Sequence, residues 1–420
     1  MGKGFRALAV LLCLTPLSCL AAEGRVLDAA SGAPIAGASV TVGDTVVYTD
    51  EFGHFSVVSA ADTVAVRAPG YGRLAVPAAP PAVPLEVRLP PLRPKALYLS
   101  FYGAGNHALR QAALELIDRT ELNALVLDVK GDRGFISYPS AVPLAAEVGA
   151  LRISTVPDIR ALLAQLKARG IYLIARIVVF KDQPLGSARP DLAVKTAAGA
   201  VWHDREGLAW TDPFRREVWD YNLAVAEEAA QLGFDEIQFD YLRFPDAPGL
   251  VYAEPNNERS RVAAITGFLA AARHRLVPYN VFLAVDVFGY VCWNLDDTHI
   301  GQRLSDLAPQ VDYLSPMLYP SGFQFGIPGY ANPVVHVQEI VNLSLARAAL
   351  RTGLPAVRFR PWLQAFRDYA FDRRAFTGTE IRAQIDAAER FGSAGWMLWN
   401  PRNQYRADGL QVEPTAPVTP

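Results

Sequence analysis

The feature that most constrains the fold is an alternation of apolar strands with amphipathic helices, which recurs eight times between residues 95 and 405. The helix candidates repeat apolar residues at spacings of three and four, whereas the strand candidates are short apolar runs. Eight such units predict an α/β fold, specifically a (β/α)8 TIM barrel. The eight strand candidates read ALYLSFYG, ALVLDVKG, YLIARIVVF, EIQFDYLRFP, FLAVDVFGY, VDYLSPMLYPS, VRFRPWLQAF and GWMLWN.

The residues before the barrel carry a different pattern, in which short β-rich runs are separated by turn residues. This pattern predicts a small N-terminal antiparallel β-sandwich at residues 23–90. The runs GRVLD, GAPIAGASVTV, TDEFGHFSV and VRAPGY resemble the carboxypeptidase-regulatory-like domain. A Pro-rich linker at residues 91–95 leads to the barrel at 96–408, and the polar, Pro-rich segment 409–420 is predicted to be a disordered tail.

The first residues have the pattern of a secretory signal. Lys3 and Arg6 precede an apolar run and small residues, which predicts a signal peptide at residues 1–22 and an exported protein. Ser18 and Cys19 resemble a lipoprotein processing site, whereas the run CLAAE suits ordinary signal peptidase, and both alternatives stay open. The expected location is the periplasm, the outer membrane through a lipid anchor at Cys19, or the medium.

Composition excludes some classes of function. The formal net charge is -2, so the chain lacks the basic surface that nucleic-acid binding needs. The six histidines are scattered, without the spacing of a metal site. We therefore expect no metal, no cofactor and no nucleic-acid partner.

Active sites of TIM barrels form at the carboxyl ends of the strands, where polar residues are informative. Side chains alternate along a strand, so Gln238 and Asp240 share one face, while Ile237, Phe239 and Tyr241 share the other. The apolar trio is expected to face the helices. Asp240 is then predicted to point into the barrel mouth.

A second acid, Asp286, ends the next strand. Neighbouring strands lie about 4.8 Å apart, and retaining glycosidases hold their two carboxyl groups about 5 to 5.5 Å apart. The pair Asp240 and Asp286 therefore predicts a two-carboxylate glycosidase mechanism. A structural ion pair between Asp240 and an arginine is the alternative.

Further polar and aromatic residues lie at the other strand ends, where Trp and Tyr suit sugar faces and polar groups suit hydroxyls. The arginines are expected to orient carboxylates. Two alternatives remain: Asp128 and Lys130 pair with each other, and the aromatic residues pack in the core. The predicted substrate-binding residues are Asp128, Lys130, Arg176, Arg243, Tyr319, Trp362, Gln364, Trp399 and Asn400.

Five motifs carry a resemblance to a known family. In order they read VLDVKGDRG, FDEIQFDYLRFP, SPMLYPS, RPWLQAF and WMLWN. They resemble a glycoside hydrolase family of bacterial exported proteins, first filed as a domain of unknown function and distantly similar to the α-amylases. The resemblance covers roughly residues 95–405 and implies a barrel that acts on a polysaccharide or oligosaccharide.

The α-amylase pattern assigns roles by position, with an Asp nucleophile ending strand four and a Glu acid/base ending strand five. On the matching positions this implies Asp240 as nucleophile and Asp286 as acid/base. Two departures stand out, because strand five carries Asp instead of Glu and strand seven offers Gln364 where a third carboxylate is expected. The function expected is an exported glycoside hydrolase or transglycosidase with a retaining mechanism. The alternative is a catalytically inactive carbohydrate-binding barrel that serves envelope polysaccharide assembly.

Overall fold

A computed structural model of the chain describes residues 20–59, 61–78 and 84–412. The predicted signal peptide up to residue 19, the lipid-attachment position Cys19 and residues 413–420 of the predicted tail lie outside the described residues. The chain divides into two compact units. Of the described residues, one unit contains those up to Val66 and those between Leu74 and Leu89, and the other contains Arg67–Arg73 and those from Pro90 to residue 412.

The first unit is built from two sheets. One has the strand order β4-β1-β7 and the other β3-β2-β5-β6. The pairs β1–β4 and β2–β3 are antiparallel, and β1 runs parallel to β7. Valines of both sheets are buried, which confirms the predicted sandwich. The strands are β1 Leu20–Asp28, β2 Ser39–Val42, β3 Thr45–Tyr48, β4 His54–Ser59, β5 Thr63–Arg67, β6 Arg73–Pro77 and β7 Leu85–Leu89.

The second unit is the predicted parallel barrel. Its eight strands have the order β13-β12-β11-β10-β9-β8-β15-β14. Two isolated parallel bridges, Leu314–Phe359 and Met317–Trp362, connect the β13 and β14 segments at their edges, so the barrel is nearly closed. The strands are β8 Lys95–Leu99, β9 Ala124–Lys130, β10 Tyr172–Val178, β11 Glu236–Asp240, β12 Phe282–Val287, β13 Tyr313–Pro316, β14 Trp362–Gln364 and β15 Trp396–Trp399.

Helices surround the strands, as the apolar spacing predicts. The longest, α6 and α7, flank β11, and the strand faces turned to the helices form one apolar core. No helix of the described ranges combines the length and hydropathy that a bilayer crossing needs. The helices are α1 Phe101–Gly105, α2 His107–Ile117, α3 Pro143–Glu147, α4 Ile159–Ala168, α5 Gln183–Ala188, α6 Arg216–Leu232, α7 Glu258–Leu276, α8 Leu304–Leu307, α9 Val337–Thr352 and α10 Gly378–Phe391.

The barrel interior is a second packed layer, separate from the helix-facing core. Inside it, Arg360 Nη1 lies 2.5 Å from Glu236 Oε2, with both side chains fully buried. This pair stands at the beginning of β11, so it fills the barrel away from the carboxyl strand ends. Below the mouth, Gln238 Nε2 donates to Ser315 Oγ at 3.1 Å. The carboxyl ends of the strands lie above this packed layer, where a functional site can form.

The end of the described chain is paired to the barrel. The Glu121 N–H donates to the Gln411 carbonyl oxygen at 2.9 Å, and Thr120 forms a bridge with Val412. Residues 409–412 of the predicted tail are therefore ordered, because backbone hydrogen bonds hold them.

Candidate active site

Asp240 and Asp286 lie on neighbouring strands at the carboxyl end of the barrel. Asp240 is the last residue of β11, and Asp286 is the last but one of β12. The ladder pairs Phe239 with Val285, so the next position of each strand carries one of the two acids. Both acids line a cleft of about 410 Å³. The structure thus brings the two predicted catalytic residues to one mouth.

Arg176, on β10, joins three carboxylates. Its Nε and Nη2 donate to Asp240 Oδ2 at 2.9 and 2.5 Å, its Nη1 donates to Asp128 Oδ1 at 2.7 Å, and Nη2 also reaches Asp132 Oδ1 at 2.8 Å. The arginine side chain is 1% exposed, so water screens these contacts weakly. Burial acts to lower the pKa of Arg176, but the surrounding acids raise it well above its ordinary value. A permanent positive charge therefore sits beside Asp240.

Asp286 has a different environment. Trp362 Nε1 donates to its Oδ1 at 2.7 Å, whereas Oδ2 is buried and has no hydrogen-bond partner among the described residues. Burial, followed by the negative charge of Asp240, raises the pKa of Asp286 well above its usual range. This environment favours the protonated form of Asp286, next to a carboxylate that is paired with arginine.

Aromatic side chains make up half of the residues that line the cleft. Trp362 and Trp399 meet edge to face with ring centroids 5.4 Å apart, and Phe366 stacks on Tyr369 at 6.2 Å. The partly exposed rings suit the C–H faces of sugars, and the acids at the floor suit hydroxyl groups. Trp362 is only 1% exposed and packs in the barrel interior, as the alternative of core packing expected. The aromatic residues that line the cleft are Tyr241, Phe288, Tyr319, Trp362, Phe366, Tyr369 and Trp399.

A second lobe, of about 220 Å³, adjoins the cleft at Trp399. Asp128 lines this lobe and accepts hydrogen bonds from the Tyr98 hydroxyl at 2.8 Å and the Phe101 N–H at 2.9 Å. Burial raises the pKa of Asp128 to about 6, although Arg176 acts to lower it. The Tyr98 ring also stacks on Trp399, with centroids 3.9 Å apart. Asp128 is therefore held in place by its neighbours.

Lys130 lies outside the mouth. It is fully buried, and its Nζ contacts Asp182 Oδ2 at 2.6 Å and Asn222 Oδ1, on α6, at 2.8 Å. The ladder between β9 and β10 shifts register after Asp128, which leaves an extra residue in β9. This bulge turns Lys130 toward the helices instead of into the barrel. Lys130 therefore neither lines the cleft nor pairs with Asp128, contrary to both expectations.

Gln364 and Asn400 hold loops in place and do not line the cleft. Gln364 Oε1 accepts from the Ser321 N–H at 3.0 Å, and its Nε2 donates to Ser321 Oγ at 2.7 Å. Asn400 Nδ2 donates to the carbonyl oxygens of Ala365 and Gln404 at 2.7 and 2.8 Å. Their polar atoms are thus engaged with the protein itself.

The chain turns sharply after Asp240. Tyr241 has a φ of +49°, a left-handed conformation that residues other than glycine seldom adopt. The turn ends the strand alternation, so the Tyr241 ring lines the cleft, whereas alternation alone would place it beside Phe239 on the outer face. Arg243 also lines the cleft, with its guanidinium carbon 5.3 Å from the centroid of the Tyr241 ring.

Two acids that the sequence reasoning missed organise the mouth. Asp132 contacts Arg176, and its place in the motif VLDVKGDRG was the available signal. Asp368 accepts from Ser321 Oγ at 2.7 Å and from three backbone N–H groups at 2.9 to 3.1 Å. Burial acts to raise the pKa of Asp368, but these donors lower it to about 2. No sequence signal marked Asp368, because its role comes from a loop conformation.

Across residues 20–59, 61–78 and 84–412, the structure contains no group of three or more His, Cys, Asp or Glu side chains arranged to hold a metal ion.

Comparison with known proteins gives a family and a fold. The profile of the family described as "Putative glycosyl hydrolase domain" matches residues 96–405. The PgaB (BpsB) glycoside hydrolase domain from Bordetella bronchiseptica has 16% sequence identity and a TM-score of 0.55, over 74% of this chain and 95% of that one. A hypothetical protein from Ruminiclostridium thermocellum ATCC 27405 is 38% identical over 46% of this chain and 97% of its own, with a TM-score of 0.42. No curated protein matches the chain.

The Bordetella domain shares the fold of the barrel. The family match covers the barrel, including the strands β11 and β12 that carry Asp240 and Asp286. Residues 23–90 lie outside the match, so their resemblance to the carboxypeptidase-regulatory-like domain stays a prediction. For the barrel, the predicted resemblance is confirmed, and the chain belongs to this glycosyl hydrolase family.

Proposed function

We propose that the protein cleaves a glycosidic bond of a polysaccharide, with Asp240 as nucleophile and Asp286 as acid/base. One observation carries the proposal. Two carboxyl groups on neighbouring strands line one cleft in opposite settings, because the Asp240 carboxylate contacts the Arg176 guanidinium whereas the Asp286 carboxyl group accepts the neutral Trp362 N–H. A carboxylate can attack and a protonated carboxyl group can donate, which is the division of labour that glycosidases need.

The proposed reaction has two steps. In the first, an Asp240 oxygen forms a bond to the anomeric carbon as the glycosidic C–O bond breaks, and Asp286 gives its proton to the leaving oxygen. In the second, Asp286 takes a proton from water, the water oxygen bonds to the anomeric carbon, and the bond to Asp240 breaks. Both carboxyl groups return to their starting states, and one water molecule is consumed.

The strand spacing supports retention of anomeric configuration as part of this proposal. The two acids are ladder neighbours, and adjacent strands lie about 4.8 Å apart, close to the roughly 5 to 5.5 Å that double displacement requires. An inverting enzyme needs a wider gap to hold water between the acids. The aromatic wall supports a sugar substrate, because planar rings pack against pyranose faces.

Substitution of the two acids tests the assignment. Nitrophenyl glycosides of glucose, galactose and N-acetylglucosamine provide leaving groups that need little protonation. Asp286→Ala should retain the first step on these substrates and regain turnover with added azide, since azide needs no general base. Asp240→Asn should lose turnover by at least about 1000-fold, because the attacking group is gone. Nuclear magnetic resonance of the first-formed product should show retention.

Asp220→Asn is the matched control, because the Asp220 side chain is 74% exposed and lies on the outer surface of α6. Its turnover should equal that of the wild type. Wild-type turnover in Asp240→Asn would refute the nucleophile assignment. A wild-type protein that binds oligosaccharides without cleaving any of them would instead indicate the binding-barrel alternative, for which the buried, fully bonded Gln364 is the supporting observation.

We also propose that the enzyme works outside the cytoplasm, because its first residues combine Lys3 and Arg6 with an apolar run. The two processing alternatives differ at Cys19. Incorporation of an alkyne-tagged fatty acid in cells, lost in Cys19→Ser, would establish a lipid anchor. Release of an unlabelled mature chain would establish ordinary processing, and retention of the full precursor in the cytoplasm would refute export.

A further inference from the structure

A second cavity, of about 430 Å³, borders the candidate active cleft. It is called the outer trough here, and it shares Tyr241 and Arg243 with the cleft. Its other walls come from two loops, one with Trp202 and Arg205 and one with Asp246. Because Tyr241 directly follows Asp240, the trough begins next to the proposed nucleophile.

Aromatic rings lead from the proposed nucleophile into the trough. The Tyr241 and Trp210 centroids lie 5.7 Å apart, and those of Trp210 and Trp202 lie 6.3 Å apart. Trp210 is only 3% exposed and donates its Nε1 to Asp204 Oδ2 at 3.0 Å, so it supports the wall from behind. Trp202 is only partly buried and lines the trough. Trp202 therefore offers a ring face to an incoming molecule.

The wall that carries Trp202 is formed before any ligand arrives. Antiparallel bridges pair Lys195 with Val201 and His203 with Ala209 on either side of Trp202. The Trp202 N–H donates to the Val194 carbonyl oxygen at 2.9 Å. A ring held by paired backbone loses little conformational entropy on binding, which favours affinity.

The polar groups of the trough balance in charge. Three cationic side chains (Lys181, Arg205, Arg243) and three anionic ones (Asp204, Glu206, Asp246) line it. Lys181 Nζ already lies 3.1 Å from Glu206 and 3.5 Å from Asp204. The trough thus has no net charge to attract an ionic ligand, and it combines an aromatic face with hydrogen-bonding groups. This combination fits a neutral sugar.

We propose that the outer trough is a distal subsite, in which a sugar unit of the same neutral polysaccharide stacks on Trp202 while a neighbouring part of the chain lies over Asp240 and Asp286. The inference rests on the proposed function for its catalytic readout. It adds that the enzyme recognises several consecutive units, so chain length governs its efficiency. Binding energy in the trough positions the bond that is cleaved.

The test compares Trp202→Ala with wild type on nitrophenyl glycosides of increasing length, from the monosaccharide to the tetrasaccharide. The ratio of kcat/KM for the tetrasaccharide to that for the monosaccharide should fall roughly tenfold, as the loss of one aromatic contact predicts. Trp202→Phe should restore most of the ratio. Phe325→Ala is the matched control, because Phe325 is 92% exposed and lines neither the cleft nor the trough.

A ratio equal to that of the wild type in Trp202→Ala would overturn the subsite. An equal loss on all lengths would overturn it as well, because it would show a general effect on folding or on the acids. Binding gives a readout that does not need turnover. Titration of Asp240→Asn with the same neutral tetrasaccharides by calorimetry should show weaker binding once Trp202→Ala is added. If the wild type cleaves nothing, this titration still decides the subsite, while the proposed function fails separately.

Discussion

Arg176 donates two hydrogen bonds to a single oxygen of Asp240, Oδ2, from Nε at 2.9 Å and from Nη2 at 2.5 Å. The other oxygen, Oδ1, accepts the N–H of Tyr241 at 2.6 Å. Donors on both oxygens fix the plane of the carboxylate before a substrate binds. Such pre-positioning accelerates enzymatic reactions, because the entropy cost of orienting the attacking atom is already met in the folded protein.

Replacement of Arg176 by Met should harm both stability and activity. The change leaves Asp128 and Asp240 buried without their cation, which typically costs about 3 to 5 kcal/mol of unfolding free energy. Urea denaturation measures this loss. Arg169→Met is the control, because its partner Asp118 is 53% exposed and such surface pairs contribute less than about 1 kcal/mol. Equal losses in the two variants would contradict the role of Arg176.

The pH dependence of hydrolysis should report Asp286. Because the acid must be protonated, kcat/KM should fall as pH rises through its raised pKa. The Trp362 hydrogen bond acts to lower that pKa, so Trp362→Phe should move the alkaline limb upward by roughly half a pH unit to one unit, the equivalent of about 1 kcal/mol. A limb that stays in place, or moves to lower pH, would show that another group titrates.

Lys130→Met should destabilise the fold without a specific effect on substrate binding. Its removal leaves Asp182 buried and unpaired, at a cost of about 3 to 5 kcal/mol. The double variant Lys130→Met/Asp182→Leu should recover much of this loss, because both charges are then absent. Denaturation curves of the single and double variants give the free energy of interaction between Lys130 and Asp182. The KM of the folded single variant should equal that of the wild type. A raised KM would return Lys130 to the binding site.

Asp368→Asn should loosen the loop that carries Phe366 and Tyr369 and should raise KM several-fold, because both rings line the cleft. Its effect on stability should depend on pH. A carboxylate whose pKa falls from 3.8 to about 2 on folding stabilises the native state above pH 3.8, and this contribution disappears as pH falls toward 2. Unfolding measured across that range should show the two proteins converging at the acid end.

Strand alternation was sufficient to predict that Asp240 and Asp286 lie at the barrel mouth. It failed where the backbone departs from regular strand geometry. Asp240 and Asp286 lie on regular strands, so counting by twos placed them in the mouth. Lys130 follows a bulge and Tyr241 itself has a left-handed backbone conformation, and each departure reverses the face on which the side chain lies. Neither departure leaves a mark in a single sequence, since no glycine or proline occupies the position.

Loop conformations are a second feature that the sequence alone did not predict. The apolar periodicity predicted the barrel because burial of strand and helix faces is a local property of the chain. Asp368 and Trp202 gain their positions, and hence their proposed roles, from loop conformations. The loop that carries Trp202, for example, pairs Lys195 with the distant Val251. Such long-range pairing has no periodic signature, so their roles emerged only with the three-dimensional arrangement.

The closure of the barrel between β13 and β14 gives the proton donor an unusual setting. Two bridges replace a full ladder there, and β14 has only three residues, so few backbone hydrogen bonds oppose local separation of these strands. Trp362 takes part in one of the bridges and also donates to Asp286. Local separation of β13 and β14 would lengthen the hydrogen bond from Trp362 to Asp286. The pKa of Asp286 would then rise, because this hydrogen bond acts to lower it. The pKa of Asp286 is therefore coupled to the barrel junction that has the fewest paired residues among the described strands.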